Sequence, residues 1–274
     1  ARRNTLNAHY TDPRVVSAVW QATRDLGFDG GRVLEPGSGS GTFIGLAPLN
    51  AEMVGVELDS TTAALSKYLY PDAQIRNESF ADTTIPNGAF DATVGNVPFG
   101  DMKLLDQEHT PGRTEAIHNH FLLKSLALTR PGGIVAVLSS RYTLDAPGNE
   151  RARRKMYEMG DLIGAVRLPN GSHDRASGTD VIEDILIFRK RLPGEEPSQD
   201  QAWLKSSKRD VNGWNVGLNH YFATTLTYAD QSSLVLRNAK AQGLGMKKWA
   251  VITSRTDNFK DARQSIERTS SPST

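Results

Sequence analysis

The chain of 274 residues contains no cysteine. That absence removes disulfides, thiolate metal sites and cysteine nucleophiles together. Apolar runs of membrane-spanning length are missing as well, and the first four residues, Ala1-Arg2-Arg3-Asn4, lack the apolar stretch of a secretory signal. These absences lead to the expectation of a soluble, cytoplasmic protein with no membrane partner. Charge of one sign is also missing: the formal net charge is +1. Any nucleic-acid surface therefore has to be a local patch. No methionine stands at position 1, so a processed product or an excised piece of a longer protein is expected.

What is present suits a globular α/β chain, with 38% hydrophobic and 23% charged residues, long enough for one large domain and a small appendage. A helix is predicted over residues 13–26, capped by Asp12, begun by Pro13 and ended by Gly27, with Val15, Val16, Val19, Trp20 and Thr23 at helical spacing. Short apolar strands at 32–35, 53–57, 73–76, 90–95 and 133–139 then alternate with helices at 61–69 and 118–129. Such alternation predicts a parallel sheet with helices on both faces. After a basic helix near 150–159, two more strands, 162–168 and 181–189, are joined without a helix and are expected to pair antiparallel. Residues 1–191 thus form the expected core. Residues 192–201 look like a linker, and 192–274 read as a small polar extension whose tail, from about 268, is expected to be disordered.

Directly after the first strand stands Leu34-Glu35-Pro36-Gly37-Ser38-Gly39-Ser40-Gly41-Thr42-Phe43. Glycines there allow a tight turn and close approach of a ligand, and the following helix start offers free N–H groups. Thr42 and Ile44 occupy the places where a dinucleotide fingerprint requires glycine, and no P-loop lysine follows. The second strand ends in Gly55-Val56-Glu57-Leu58-Asp59, and the Glu57 carboxylate can accept hydrogen bonds from both hydroxyls of a ribose. A packing turn and a surface acid are the plain alternatives for each motif alone. Together, at the ends of adjacent strands, they point to a nucleoside cofactor.

The fourth strand ends in Asp91-Ala92-Thr93-Val94-Gly95-Asn96-Val97-Pro98-Phe99-Gly100, at the sheet edge where open α/β folds place their chemistry. Asn96-Val97-Pro98-Phe99 resembles the Asn/Asp-Pro-Pro-Tyr/Phe signature of amino-group methyltransferases, and the Glu35-to-Gly41 loop resembles their cofactor motif. The order of the two motifs is similar to that of gamma-type N6-adenine DNA methyltransferases, in particular the methylase regions of large plasmid and phage proteins. The resemblance spans about residues 7–189. It implies a Rossmann-like, seven-stranded class I sheet with its last strand antiparallel and S-adenosylmethionine as cofactor. It implies double-stranded DNA as partner, with the target base flipped, and no metal.

The same resemblance assigns catalysis to Asn96, Val97, Pro98 and Phe99. An adenine amino nitrogen is a poor nucleophile, and two acceptors, the Asn96 side-chain oxygen and the Val97 carbonyl, would turn its lone pair toward the methyl group. A carbonyl needs no particular side chain, so valine can stand for proline. Phe99 would stack on the flipped base. Cofactor contacts are assigned to Glu35, Pro36, Gly37, Gly39, Gly41 and Phe43 in the loop, to Glu57 and Leu58, and to Tyr10 and Thr11 before the first helix. Phe80 and Asp82 complete the set, although Ser79 replaces the family's usual acid and Phe80 as plain core remains open.

Three other features are weaker. Residues 100–117 form a long polar stretch such as closes over substrates. Arg141 and Tyr142 follow the fifth strand at the productive edge, and Arg151, Arg153, Arg154 and Lys155 are positioned to meet phosphates or simply to solvate a helix face. The residues after the core are few for a full target recognition domain, so base specificity is expected on further domains or a specificity partner. An RNA adenine, a protein glutamine, or a silent nucleic-acid-binding module stay as alternatives.

Overall fold

The computed structural model describes residues 11–168, 182–211 and 214–225. The first helix, α1 (Pro13–Asp25), begins as its sequence directs: the Asp12 side chain accepts the Arg14 amide at 2.8 Å, and proline occupies the first turn. Its apolar face, Val15, Val16, Val19, Trp20 and Ala22, is buried. Gly27, at φ +99°, then turns the chain into β1 (Gly31–Pro36).

The chain continues through α2 (Thr42–Gly45), β2 (Ala51–Glu57), α3 (Ser60–Leu69), β3 (Gln74–Asn77) and β4 (Phe90–Asn96). A small antiparallel hairpin, β5 (Lys103–Leu105) with β6 (Thr114–Ala116), precedes α4 (Ile117–Leu128). After it come β7 (Thr129–Ser140), α5 (Tyr142–Asp145), α6 (Glu150–Met159), β8 (Gly160–Arg167) and β9 (Glu183–Lys190). The seven-stranded sheet has the order β3-β2-β1-β4-β7-β9-β8. All neighbours are parallel except at β9, which runs antiparallel to both β7 and β8. The expected sheet is therefore observed, with the antiparallel strand inserted between its neighbours.

Successive side chains of a strand face opposite sides, and this period splits the core in two. Leu34, Val135, Val137, Leu186 and Phe188 join one cluster with Leu122, Leu126 and Met156, from α4 and α6. Val33, Ile134, Ala136, Ile185 and Ile187 join the other with Val16, Val19 and Trp20 of α1. With helices on both faces, four successive residues of each of β1, β2 and β4 are buried, without the alternation of a one-sided sheet.

The segment expected to be a linker and polar extension carries a 3-10 turn (Ala202–Leu204), the antiparallel hairpin β10 (Ser206–Val211) and β11 (Trp214–Asn219), and α7 (His220–Thr225). Trp203, Leu204, Leu218 and Phe222 are buried in the first core cluster, against the sheet. Asn219 locks the segment down, donating from Nδ2 to the carbonyls of Leu144 and Trp203 at 2.8 and 2.9 Å. The tail from 268 lies outside the described residues.

Arg153 is not available to a phosphate: it is fully buried and donates to the carbonyls of Leu204, Thr143 and Ala146. Arg154 pairs instead with Glu150 on the exposed side of α6. No helix among the described residues is long and apolar enough to cross a membrane.

Candidate active site

Each candidate motif sits at the carboxyl end of a parallel strand, and β1, β2 and β4 are neighbours, so the motifs share one rim. Beyond β1 the chain turns through Gly37, Gly39 and Gly41, at φ +67°, +54° and +85°, a region that side chains other than glycine rarely adopt. The loop is tied to β2 twice. The Ser38 amide donates to the Val56 carbonyl at 3.0 Å, and the Gly39 amide donates to Glu57 Oε2 at 2.9 Å. Glu57 Oε1 accepts the Asp59 amide at 2.7 Å, which holds the carboxylate in place between the glycine loop and the start of α3.

The glycines do different work. A Cβ on Gly41 would fall 2.7 Å from the Tyr70 ring and 3.0 Å from Ser66 Oγ, so Gly41 is required by packing. A Cβ on Gly39 would meet nothing within 4 Å, which leaves that stretch of main chain open to a ligand. Leu58, beside Glu57, is 63% exposed and offers an apolar wall at the same rim.

Glu35 lies beneath the loop and is buried. Burial pushes its carboxyl well above the ordinary range, against the backbone amides of Ile44 and Phe43 that bond to it, and the nearby Glu57 charge adds to the rise. The acid thereby holds the start of α2. Phe43, also buried, accepts the Trp20 Nε1 hydrogen at its carbonyl, 3.0 Å away, and so fixes α2 to α1.

The β4 turn closes on the same place. A Cβ on Gly95 would come within 3.4 Å of Glu35 and 3.5 Å of Pro36. Pro98 Cδ lies 3.3 Å from where a Cβ on Gly37 would be, so the β4 turn leaves no room for a side chain at that point of the glycine loop. The Val97 amide donates to the Leu138 carbonyl at 3.0 Å, and its side chain is sealed in the core. Asn96 Nδ2 donates to Thr11 Oγ1 at 3.2 Å, while Asn96 Oδ1 is buried and accepts no hydrogen bond from the described residues. A buried acceptor left unmade costs about 1–3 kcal/mol, and its persistence at a sheet edge marks a place for a donor. Phe99, three residues further along the turn, is half-buried.

Three further candidates stand differently. Phe80 is 4% exposed and packs in the core with its ring centroid 4.8 Å from that of Phe121. Asp82 lies exposed on the following loop, and Tyr10 falls outside the described residues. Sequence reasoning missed the anchor under residues 100–116. Asp106 Oδ2 lies 3.0 Å from Lys124 Nζ and 3.1 Å from both His120 Nε2 and His109 Nδ1, all four side chains being buried. Burial opposes ionisation of Asp106, but the His109 amide, His120 and Lys124 outweigh it and hold the carboxyl well below the ordinary range. His120 and Lys124, four apart on one helix face, were the available signal, but their partner lies on a different element. His118 is buried without a hydrogen-bond partner among the described residues, and burial lowers its pKa to about 4.

No family model matches the chain. Defense against restriction protein B of Escherichia phage P1 is 29% identical over 189 residues, which cover 68% of this chain and 8% of that protein. Among solved structures, a protein from Listeria monocytogenes described as a class I S-adenosylmethionine-dependent methyltransferase matches with a TM-score of 0.59 and 15% identity, over 69% of this chain and 63% of that one. The M protein of the type I restriction enzyme EcoKI matches with a TM-score of 0.56 and 19% identity, over 66% and 44%. A type I restriction enzyme modification subunit from Vibrio vulnificus also reaches 0.56, at 17% identity, over 95% and 62%. The chain thus spans less than two thirds of each of these proteins, and what the solved structures establish is its fold: that of the class I S-adenosylmethionine-dependent methyltransferases.

Proposed function

We propose that the chain transfers a methyl group from S-adenosylmethionine to the exocyclic N6 nitrogen of adenine in DNA, with the base flipped out of the duplex. The observation that carries this reading is the buried Asn96 Oδ1, without a partner among the described residues, in a turn whose Pro98 lies beside the glycine loop. The names of two matched structures, both parts of type I restriction enzymes, and of the phage protein agree with a DNA substrate.

The residues present fit the cofactor. Gly39 leaves main chain open, the Glu57 carboxylate stands ready for ribose hydroxyls, and Leu58 supplies an apolar surface. Glu35, Pro36, Gly37 and Thr11 complete the floor of that site; Gly41 and Phe43 support it from beneath. When bound, S-adenosylmethionine supplies an electrophilic methyl group carried on a sulfonium. Asn96 Oδ1 and the Val97 carbonyl accept the two N6 hydrogens, which favours a tetrahedral nitrogen with its lone pair directed outward. Phe99 holds the ring of the base by stacking. Thr11 Oγ1 accepts from Asn96 Nδ2, which leaves the amide oxygen for the substrate. Recognition of a DNA sequence falls to further domains or a specificity partner.

The test is acceptor identity. The protein is incubated with cofactor carrying a labelled methyl group and with DNA, RNA or protein, and the product is digested and identified by mass spectrometry. N6-methyladenine in DNA is expected; label confined to RNA or to glutamine side chains would overturn the choice of substrate.

A further inference from the structure

β7 lies parallel to β4 with Leu138 opposite Asn96, and it delivers the chain to the same edge of the sheet. Two residues beyond its end stands Tyr142, 49% exposed. Among the described residues the only other aromatic side chain this exposed is Tyr68, on α3. A lone exposed aromatic is common and by itself says little. What sets Tyr142 apart is how firmly it is held.

The Arg141 guanidinium lies 4.6 Å from the centre of the Tyr142 ring and is itself 4% exposed. It is fixed from behind: Arg141 Nη1 donates to Asp145 Oδ2 at 3.2 Å, and Asp145 also pairs with Arg167 at 3.0 Å. Arg167 in turn grips both carboxylate oxygens of Asp184, at 2.8 and 2.9 Å. The main chain of Tyr142 is held as well. Its amide donates to Ser140 Oγ at 3.3 Å, and its carbonyl accepts from Asn149 Nδ2 at 2.8 Å. The ring is therefore backed by a buried cation, while half of the side chain stays open at the substrate edge. A rigid aromatic surface loses little entropy when a flat partner stacks on it.

Tyr142 stands one strand over from Asn96 and two extended residues plus a short helical step further along, an offset of about 10 Å. That is too far to share the base that Asn96 would hold and near enough for its neighbour. We infer that Tyr142, braced by Arg141, is a stacking platform for the nucleobase adjacent to the target adenine in the same strand. The inference rests on the DNA-adenine reading above and extends it by a second contact. Base-on-aromatic stacking tolerates any sequence, because every base has a π-face, and the nearby guanidinium reinforces it.

The probe is a fluorescent thymidine oligomer of about a dozen nucleotides with one central adenine, titrated in the presence of S-adenosylhomocysteine. Tyr142→Ala is expected to weaken binding about tenfold, the scale of one lost base stack, with S-adenosylhomocysteine affinity unchanged by calorimetry. Tyr142→Phe, which keeps the ring, is expected to bind like the wild type. An abasic nucleotide on one side of the adenine should weaken wild-type binding to the same degree, and Tyr142→Ala should then add nothing. A wild type that methylates DNA while Tyr142→Ala binds just as tightly, or loses as much on the abasic oligomer as on the intact one, overturns the platform alone. A wild type that neither binds the oligomer nor methylates DNA overturns the DNA reading and the platform with it.

Discussion

Gly39 and Gly41 are two residues apart, yet a methyl group on each would meet different surroundings: open space at Gly39, the Tyr70 ring and Ser66 at Gly41. Both adopt positive φ, so alanine strains the backbone at either place. The added clash makes Gly41→Ala the more damaging to stability, by about 1–3 kcal/mol. Gly39→Ala should cost less in stability and more in affinity for S-adenosylhomocysteine, since its methyl group enters the space left for a ligand. Thermal unfolding and calorimetry on both variants check the ordering; equal losses of affinity without the difference in stability would remove the distinction between a packing glycine and a ligand glycine. The sequence places all three glycines of the loop in one motif. It does not separate them, because the residue that makes Gly41 necessary, Tyr70, is supplied by the chain that leaves α3.

At the scale of elements, the stretch between β4 and α4 is where sequence and structure diverge most. Residues 100–117 show no periodicity and suggest a mobile cover. The structure instead pins them with a buried Asp106–Lys124 pair and a short hairpin. Single-sequence patterns record local spacing, and this anchor joins residues of different elements, so no local pattern carries it. Breaking one side of a buried ion pair strands the other charge, which costs about 3–5 kcal/mol. Lys124→Met is expected to lower stability by that amount in denaturant unfolding, and Asp106→Leu combined with Lys124→Met should restore most of it. The sign of the pH dependence follows from the Asp106 carboxyl, which the fold holds below its ordinary value. Its contribution is present above the unfolded carboxylate range of about 4 and is lost as the pH falls toward the folded value. Asp106→Asn should therefore flatten the loss of stability on acidification; an unchanged acid slope would show that other carboxylates control it.

For the whole molecule, the doubly covered sheet was legible because it rests on apolar strands, glycine turns and helical periodicity, all of them local. The antiparallel β9 also followed, from the missing helix between the last two strands, whereas the order of strands in the sheet rests on long-range pairing that no local pattern records. The role of residues 202–222 was less legible. Their composition reads as polar, but four side chains, Trp203, Leu204, Leu218 and Phe222, carry the contact with the core. Trp203 is 2% exposed and packs against Phe188, with ring centroids 5.6 Å apart. Trp203→Ala should cost about 3–5 kcal/mol in a single cooperative transition. A wild-type midpoint in that variant would mean that the segment is an independent appendage.

The candidate site depends on the meeting of β1, β2 and β4 at one rim, and within it on a single oxygen. Single-turnover methylation of DNA by Asn96→Ala, compared with wild type at saturating cofactor, addresses that oxygen most directly. The expected result is a rate lower by a factor of about 100–1,000, the usual loss for one preorganised hydrogen-bonding group, with S-adenosylhomocysteine affinity within about twofold of wild type. Methyl transfer at the wild-type rate without the Asn96 amide would contradict the account.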